Sequence, residues 1–582
     1  MENIASTSGL ADKFKNVTNL PLLLKNSARL YPSNQAMTSV DGTEYNYKEL
    51  EISARYFATM LASTGIGIGD RVSILSDNSP HWVIGFFGIL TTGATTVPIL
   101  PDFQGKEIKS ILEHSEAKAI CISGKLVHKL KEGLPKSVEL VVNLDNFQVL
   151  DVVSGQIAEL KTTPGKLEKL KVDPDSLPGD KSDAGEGTLY RATPDELASI
   201  IYTSGTTGRS KGVMLSHNNI LSNAIFTGSI HKVIAEDRFL SMLPLAHTYE
   251  NTIGMVLPLL KGARIHYMDK PPTASYMAPI LQELKPTTML TVPMIIEKIY
   301  RAKVKPALTK SPALRALMKI GFTRKILSRA AAKKLEVFFG NNLRFFGVGG
   351  APLAPDVEKF LIEGGFPYAV GYGLTETSPM IAGFDPAHAV YKSVGTVIEA
   401  CTVKIDNPDP VTSEGEIVVT GPNIMQGYYK DEEKTREVFT EDGFFKTGDL
   451  GYMDNKGIIY IRGRSKNMIL GSNGENIYPE EIEALLNSEE IVSESLVMQY
   501  KGKLVARVHL KVEVMEERYH DLKENAADFQ QQMQDKADEV LEELLIRVNL
   551  HVALNSRLQS MILQVQPFEK TPTLKIKRFL YN

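Results

Sequence analysis

Residues 202–212 read Tyr-Thr-Ser-Gly-Thr-Thr-Gly-Arg-Ser-Lys-Gly and follow a short apolar run, 197–201, that is typical of a buried strand. Glycines let the backbone approach a phosphate closely and adopt positive φ. Successive backbone N–H groups in such a loop form an anion-binding concavity, to which a nearby lysine adds positive charge. The stretch therefore predicts a binding site for a nucleotide polyphosphate.

The spacing of this loop excludes two common phosphate motifs. A Walker A loop needs a glycine, four residues and then Gly-Lys-Ser/Thr, and the residues after Gly205 do not keep that register. The Gly-x-Gly-x-x-Gly pattern of a dinucleotide fold is also missing from the loop. A flexible Gly/Ser-rich surface linker is the structural alternative, but linkers rarely combine a preceding strand with this register and a lysine.

Length and composition limit the class of protein. A chain of 582 residues is too long for one core, so at least two domains are expected. The net charge of −4 gives no reason to expect a nucleic-acid partner. The two cysteines, Cys121 and Cys401, suit a reducing cytoplasm and form no disulfide framework. We expect no signal peptide, and no apolar run is long enough to span a membrane.

The pattern along the chain predicts a multidomain α/β protein. Helical and strand patterns alternate in the first part, with helices at 47–64, 80–92 and 104–115 and strands at 71–75, 95–100 and 119–122. Such alternation implies parallel α/β layers. Residues 161–193 are polar and read as an exposed excursion.

A second α/β stretch covers 217–380, after which the pattern changes. Short strands at 402–405, 415–419 and 457–461 predict a small β-rich subdomain. The last part mixes α and β elements, with a long helical segment near 515–556.

Three further segments carry residues suited to bind a nucleotide. Residues 371–377 read Gly-Tyr-Gly-Leu-Thr-Glu-Thr, which offers an aromatic ring for a base and a hydroxyl beside a carboxylate for phosphate and Mg²⁺. Residues 349–352, Gly-Gly-Ala-Pro, form a tight turn after a predicted strand at 343–348. Asp449 follows a glycine turn and suits ribose hydroxyls, although an Asx turn would explain it structurally.

These segments, in this order, resemble the adenylate-forming enzymes, which include acyl-CoA synthetases, luciferases and peptide-synthetase adenylation domains. The resemblance extends from Tyr45-Asn46-Tyr47-Lys48-Glu49-Leu50 to Arg578. It implies a large N-terminal AMP-binding domain of α/β layers with a β-barrel-like subdomain over 1–465. It also implies a small mobile α+β C-terminal domain over 466–582 with a helical insertion near 515–556.

The resemblance assigns a role to each candidate residue. Tyr372 would stack on adenine, Thr375 would contact the α-phosphate, Glu376 would ligate Mg²⁺, and Asp449 and Arg464 would bind ribose. Lys466 would be the hinge, Gly474 would line the coenzyme A channel, and His247 would lie in the acyl pocket. The remaining nucleotide-binding residues that it implies are Thr203, Ser204, Gly205, Thr206, Thr207, Gly208, Lys211, Gly350, Ala351, Pro352 and Gly373.

The C-terminal tail supplies the predicted catalytic lysine. Lys575 aligns with the family's C-terminal catalytic lysine, although Leu574 stands where the usual pattern has glycine. A lone lysine in a basic tail is more often only solvated, and Lys570 and Lys577 are rivals in principle.

A basic stretch from Arg301 to Lys334 admits two interpretations. Apolar residues interleave with the charges, as in a helix that lies on an anionic membrane surface. An ordinary solvated helical face is the alternative, and the slightly negative overall charge favours it at this stage.

The features together favour a long-chain fatty acid–CoA ligase. The tail 568–578 and the segment 472–476 look most like that branch. ATP, Mg²⁺ and coenzyme A are the expected cofactor and substrates, in a cytoplasmic monomer or homodimer with peripheral contact with the inner face of the membrane left open. The alternatives are an acyl-AMP ligase that loads a carrier protein, a ligase for another carboxylic acid, a P-loop kinase or ATPase, and a non-catalytic nucleotide-binding relative.

Overall fold

The structure is a computed structural model of the chain. It describes residues 17–153, 156–157, 167–170, 172, 190, 192–203, 210–471, 476–518, 526–571 and 575–581. For residues 152, 153, 156, 516–518, 526–535 and 555 it describes the backbone alone. Most of the polar excursion predicted at 161–193 therefore lies outside the described residues.

Two large mixed sheets form the body of the protein. The eight-stranded sheet has the order Gly427–Tyr428, Lys211–Ser216, Leu197–Thr203, Thr95–Ile99, Arg71–Leu75, Ala119–Ile122, Leu140–Asn143 and Gln148–Val149. The nine-stranded sheet has the order Thr396–Val397, Met380–Gly383, Tyr368–Gly373, Phe345–Val348, Thr288–Thr291, Arg238–Ser241, Arg264–Tyr267, Gln35–Ser39 and Glu44–Asn46. The inner strands of both sheets run parallel, as the alternation of helices and strands predicts.

Helices connect these strands and cover the sheets. Their limits follow local signals: Asn46 and Glu49, for example, form a reciprocal capping box at the start of Tyr47–Ser63. The α- and π-helical segments are Leu20–Leu30, Tyr47–Ser63, Pro80–Thr91, Gly105–Ser115, His217–Thr227, Tyr249–Val256, Leu257–Lys261, Ala274–Leu284, Pro293–Ile299, Tyr300–Val304, Lys305–Thr309, Pro312–Lys319, Gly321–Phe338, Pro355–Gly364, Glu432–Glu437, Pro479–Asn487, Val512–Arg518 and Ala526–Asn549. Short 3₁₀ segments are Gly124–Leu130, Thr375–Thr377, Pro386–His388, Leu554–Ser556 and Arg578–Leu580. Among the described residues, no helix is both long and apolar enough to cross a membrane.

The predicted β-rich subdomain is a four-stranded antiparallel sheet. Its strands, in spatial order, are Thr402–Asp406, Gly415–Thr420, Phe445–Met453 and Ile459–Arg464. Its two edge strands do not pair with each other, so the sheet is open rather than closed into a barrel. Two strands match the expectation closely, whereas the last begins two residues after the predicted start at 457.

The C-terminal part has a hydrophobic core of its own. A three-stranded sheet of Val492–Tyr500, Lys503–Leu510 and Ser560–Leu563 packs against Pro479–Asn487 and Ala526–Asn549. Along the long helix, the apolar residues Ala537, Val540, Leu541, Leu544 and Val548 are buried. The helix ends at Asn549 rather than at 556, and small paired strands lie at Ile469–Leu470 with Asn476–Ile477 and at Val152–Val153 with Gln156–Ile157.

The helix Pro80–Thr91 is buried along its whole length, and Gly88 sets how closely it approaches its neighbour. A Cβ at Gly88 would lie 2.6 Å from Cδ1 of Phe57 and 3.0 Å from the backbone oxygen of Ala54. The Phe57 ring is itself fully buried, so it has little room to move. The glycine therefore determines the packing of this helix on Tyr47–Ser63.

We expect Gly88→Ala to lower the stability of the large domain by about 1–3 kcal/mol, because the new methyl group overpacks the contact with Phe57. Urea unfolding followed by tryptophan fluorescence measures the change, since Trp82 lies in the same helix. Gly67→Ala is the matched control, because a Cβ at Gly67 meets no atom within 4 Å. Equal unfolding midpoints for the two variants would contradict the packing argument.

Candidate active site

The predicted phosphate loop connects two antiparallel strands at one edge of the eight-stranded sheet. Thr203 ends the first strand, Lys211 begins the second, and the two residues pair across the ladder. Ser204, Gly205, Thr206, Thr207 and Gly208 lie outside the described residues. The ends of the loop are thus held side by side, and Lys211 stands at its base.

The Tyr428 side chain contacts both Lys211 and Glu376, and sequence reasoning missed this residue. The Lys211 ammonium lies 4.9 Å from the ring centroid of Tyr428, a cation–π distance. The Tyr428 hydroxyl donates a hydrogen bond of 2.9 Å to Oε1 of Glu376. The strand Gly427–Tyr428 brings the ring there by pairing with Val213 and Met214. Tyr428 could not be found from sequence because this pairing joins segments more than two hundred residues apart.

Several charged side chains act on the Lys211 ammonium. Loss of hydration lowers the pKa of its ammonium below the usual value, and Lys434 and Lys466 lower it further. Glu376 and Asp431 act in the opposite direction. Charges of both signs therefore surround Lys211 at the base of the predicted phosphate loop.

Asp449 is the centre of a second group of polar contacts. Its Oδ1 lies 2.8 Å from Nε of Arg464, the residue opposite it on the neighbouring strand. Its Oδ2 accepts a hydrogen bond of 2.7 Å from the Tyr372 hydroxyl. Burial raises the pKa of Asp449, and the charge of Arg464 and the Tyr372 hydrogen bond oppose that effect. Two sheets therefore meet at one buried carboxylate.

Tyr372 and Gly373 end a strand of the nine-stranded sheet next to this carboxylate. The Tyr372 ring is buried, so its stacking on adenine stays a prediction. A Cβ at Gly373 would lie 1.8 Å from the backbone oxygen of Pro379, which leaves room for glycine alone. Thr375 and Glu376 follow in a short 3₁₀ turn, Thr375–Thr377, with Thr375 buried.

The C-terminal tail brings Lys575 to the same place. The pKa of Lys575 is lowered first by loss of hydration around its ammonium and then by Arg464, whereas Asp449 and Glu376 raise it. The residue as a whole is exposed. The charges of both carboxylates therefore act on Lys575: Glu376, which contacts Tyr428, and Asp449, which contacts Arg464 and Tyr372.

The segment that carries Lys575 is anchored at its base. Lys570 and Ile576 form an antiparallel bridge, and the Thr571 N–H donates to the Lys575 carbonyl at 2.8 Å. Phe568 is buried in a small apolar cluster, and Arg578 pairs with Glu483. Lys575 therefore stands at the tip of a hairpin whose base is fixed to the C-terminal sheet.

His247, the predicted acyl-pocket residue, is buried and lies within electrostatic range of Lys575. Loss of hydration lowers the pKa of its imidazole to about 4, and the charge of Lys575 lowers it further. Its Nδ1 accepts a hydrogen bond of 3.2 Å from the Tyr249 N–H. The Tyr249 ring packs on Gly349, where a Cβ would lie 3.2 Å from the ring. Gly350 has φ +85°, and with Ala351 and Pro352 it forms an exposed turn beside this ring.

Lys466 lies in the turn between the four-stranded sheet and the C-terminal part. It is exposed, and its N–H donates to no residue that the structure describes. The neighbouring Asn467 N–H and Met468 N–H both donate to the Arg464 carbonyl at 3.0 Å. Gly474, the predicted channel residue, lies outside the described residues.

The residues present fit one Mg²⁺ ion held mainly by a nucleotide. Among the described residues, no group of three or more His, Cys, Asp or Glu side chains could hold a metal alone. Mg²⁺ is commonly bound by one or two carboxylates together with substrate phosphates. Glu376 offers one such carboxylate, beside the base of the phosphate loop.

Glu250 is a second residue whose character sequence reasoning missed. It is almost fully buried, and its Oε1 accepts a hydrogen bond of 2.5 Å from the Ser241 hydroxyl. Its Oε2 has no hydrogen-bond partner among the described residues. Burial raises the pKa of this carboxyl to about 8. An acid three residues after His247 was the available signal, but sequence alone does not show that its surroundings are apolar.

Comparison with known proteins identifies the family of the chain. Residues 24–429 match the family described as AMP-binding enzyme. The chain belongs to the AMP-binding enzyme family. The predicted membership in the adenylate-forming enzymes is thereby confirmed.

Curated relatives and solved structures cover most of the chain. The chain is 30% identical to long chain acyl-CoA synthetase 6, peroxisomal, of Arabidopsis thaliana, over 82% of this chain and 70% of that protein. It is 29% identical to long-chain-fatty-acid–CoA ligase 1 of Saccharomyces cerevisiae, over 75% and 67% of the two chains. O-succinylbenzoate coenzyme A synthetase from Bacillus subtilis, in complex with AMP, shares the fold at a TM-score of 0.70 and 22% identity, over 96% and 97% of the two chains.

We expect the free energy of unfolding of Glu250→Gln, compared with that of the unchanged chain at the same pH, to become more favourable as the pH rises from 5.5 to 8. The folded state holds the Glu250 proton up to about pH 8, whereas an unfolded glutamate loses it near pH 4.5. The folded chain therefore binds more protons in this window, and its stability falls as pH rises by at most about 1.4 kcal/mol per pH unit. Gln removes that loss.

Thermal unfolding of the variant and the unchanged chain, measured at several pH values between 5.5 and 8, checks the expectation. Glu433→Gln, at an exposed position, is the control and should shift the melting temperature equally at every pH. A Glu250→Gln difference that stays constant across the window would show that Glu250 is ionised in the fold.

Proposed function

We propose that the protein joins a long-chain fatty acid to coenzyme A in two steps. The fatty carboxylate attacks the α-phosphorus of ATP, which forms acyl-AMP and releases pyrophosphate. The thiol of coenzyme A then attacks the acyl carbonyl, which forms the thioester and releases AMP. Activation is needed because a carboxylate oxygen is a poor leaving group and adenylate is a good one. The names of the curated relatives support the choice of fatty acid and of coenzyme A.

One observation carries the proposal: the Lys575 ammonium lies within electrostatic reach of Glu376, Asp449 and Arg464. Negative charge develops on the α-phosphate in the first step, and a cation fixed at that point stabilises it most where water is excluded. The lowered pKa of Lys575 indicates that its ammonium has lost part of its hydration. We assign Lys575 to the adenylation step.

The remaining residues take positioning roles in the proposal. Asp449, held by Arg464 and Tyr372, would accept hydrogen bonds from the ribose hydroxyls. Lys211 and the loop 204–209 would bind the β- and γ-phosphates, with Thr375 at the α-phosphate. Glu376 would hold Mg²⁺, which neutralises phosphate charge when bound.

The second step requires Lys575 to leave. Lys466 would act as the hinge, since hinges are a few residues that absorb large changes in φ and ψ. Its position in a turn and the lack of a described partner for its N–H support this role. The swing would bring Gly474 to the coenzyme A channel, so that one site serves both reactions.

A panel of carboxylic acids, from acetate to stearate with aryl acids added, tests the reaction class by nucleotide product. Release of AMP and pyrophosphate that depends on a long-chain acid is the expected result. ADP as the sole nucleotide product would overturn the proposal in favour of a kinase or ATPase. A thioester formed with a carrier protein but not with free coenzyme A would favour the acyl-AMP ligase.

We expect Lys575→Ala to lower the rate of acyl-AMP formation by about two to three orders of magnitude. Thioester formation from supplied acyl-AMP should change little, because Lys575 is needed only in the first step. Lys577→Ala is the matched control, since its ammonium lies 3.9 Å from Glu569 in the same hairpin. Equal loss of both half-reactions in Lys575→Ala would contradict the assigned role.

We expect Lys466→Pro to slow thioester formation more than acyl-AMP formation. Proline fixes φ and should restrict the swing, and no described hydrogen bond of the Lys466 N–H is lost. Lys466→Ala keeps the torsional freedom and should behave like the unchanged chain in both steps. Pyrophosphate release and thioester formation, followed in parallel, separate the two effects, and a larger loss in the first step would reject the hinge.

The cellular setting completes the proposal. We place the enzyme in the cytoplasm as a monomer or homodimer, with contact at the inner face of the membrane where its substrate dissolves. Sedimentation of the purified chain and fractionation of cells measure the two properties.

A further inference from the structure

Two helices on the surface of the large domain form a corner with apolar side chains on its outside. Pro312–Lys319 has no buried residue, and Gly321–Phe338 follows it after a single residue. Four large apolar side chains at this corner are exposed: Phe322 at 76%, Ile320 at 56%, Ile326 at 50% and Leu317 at 39%. We call residues 312–329 the basic corner.

The exposed apolar residues do not belong to the core face of their helix. Ser328, Ala332 and Leu335 of the same helix are buried against the large hydrophobic core. Phe322 and Ile326 are four residues apart and lie on the opposite face, since 3.6 residues make one turn. The inner face is filled by these buried residues, and Phe322 and Ile326 expose half or more of their surface to solvent.

Positive charge surrounds this apolar patch. Residues 301–335 contain eleven Lys and Arg residues and no Asp or Glu, in a chain whose net charge is −4. Some of these cations are engaged, as Arg324 is with Glu363 and Lys333 with Glu336. Others are exposed and form no ion pair with any described residue: Lys310, Arg315, Lys319, Lys325, Arg329 and Lys334.

We propose that the basic corner docks the enzyme on an anionic lipid bilayer. Phe322, Ile320 and Ile326 would enter the boundary between headgroups and acyl chains, and the unpaired cations would contact lipid phosphates. Amphipathic helices with aromatic and aliphatic residues on one side and Lys and Arg around them bind membranes in this way. Each cation near an anionic surface adds to the attraction.

The charges and the apolar patch together favour a bilayer over other partners. A second copy of the chain, related by twofold symmetry, would bring this basic surface against the same basic surface. A nucleic acid would satisfy the cations but leave Phe322 and Ile320 without an apolar partner. The sequence pattern alone favours a solvated helix, and it is the exposure of the apolar residues that reverses this preference.

The inference rests on the proposed function in one respect: docking would give the enzyme access to fatty acids dissolved in the bilayer. The active site is elsewhere, so docking and chemistry can be measured separately. Loss of AMP release with intact vesicle binding would overturn the proposed function alone. Intact AMP release with no vesicle binding would overturn the docking alone.

Flotation of the full chain with vesicles tests the docking. We expect binding to phosphatidylcholine vesicles that contain phosphatidylglycerol, weaker binding as salt is raised, and little binding to phosphatidylcholine alone. Phe322→Ser with Ile326→Ser should reduce binding by about ten-fold through lost apolar contact. Lys325→Gln with Arg329→Gln should reduce it by about five-fold for each cation removed.

The controls separate docking from folding and from general stickiness. Val411→Ser removes an apolar side chain that is 89% exposed on the four-stranded sheet's Asp406–Gly415 connection, and it should bind vesicles like the unchanged chain. Melting temperature and AMP release with a long-chain acid supplied without vesicles should be unchanged in all variants, since the altered residues are exposed. The proposal would be overturned if the chain bound neutral and anionic vesicles equally, or if both double variants bound vesicles like the unchanged chain. A dimer of the unchanged chain that dissociates in the Phe322→Ser, Ile326→Ser variant would also overturn it.

Discussion

The buried carboxylate of Asp449 is the contact on which the site depends. It is held by Arg464 on the neighbouring strand and by Tyr372 from the nine-stranded sheet, and it faces the charge of Lys575 from the C-terminal tail. A buried carboxylate is unfavourable unless cations and hydrogen-bond donors surround it. Three separate parts of the chain meet this requirement together, and in doing so they bring several charged groups to one place.

Nearby charges also determine the properties of Lys211. Lys211 is crowded by Lys434 and Lys466 and is held by the ring of Tyr428 and the charge of Glu376. The repulsion from Lys434 and Lys466 and the loss of hydration both lower the pKa of Lys211, whereas Glu376 and Asp431 raise it. Binding of the ATP phosphates beside Lys211 is part of the proposed function and fits the family to which the chain belongs.

The sequence predicts the layered part of the fold well because its hydrophobic periodicity is strong. The strand Arg71–Leu75 agrees to the residue, and the helix Tyr47–Ser63 is one residue shorter than expected. Weaker signals failed at the ends of elements, as at Ile459–Arg464 and Ala526–Asn549. The role of Tyr428 and the burial of Glu250 depend on long-range pairing and packing, which no local pattern contains. The solvent exposure of Phe322 is hidden from sequence for the same reason.

Arg464 binds the carboxylate of Asp449 with its side chain while its carbonyl accepts the N–H groups of Asn467 and Met468. One residue thus connects Asp449, the proposed ribose-binding carboxylate, with the turn around Lys466. If one orientation of the C-terminal part binds a nucleotide more tightly, the bound nucleotide must favour that orientation, because such linkage is reciprocal. In the proposed reaction the occupant of the site changes from ATP to acyl-AMP and then to AMP, and through Arg464 each occupant would favour its own arrangement of the turn around Lys466.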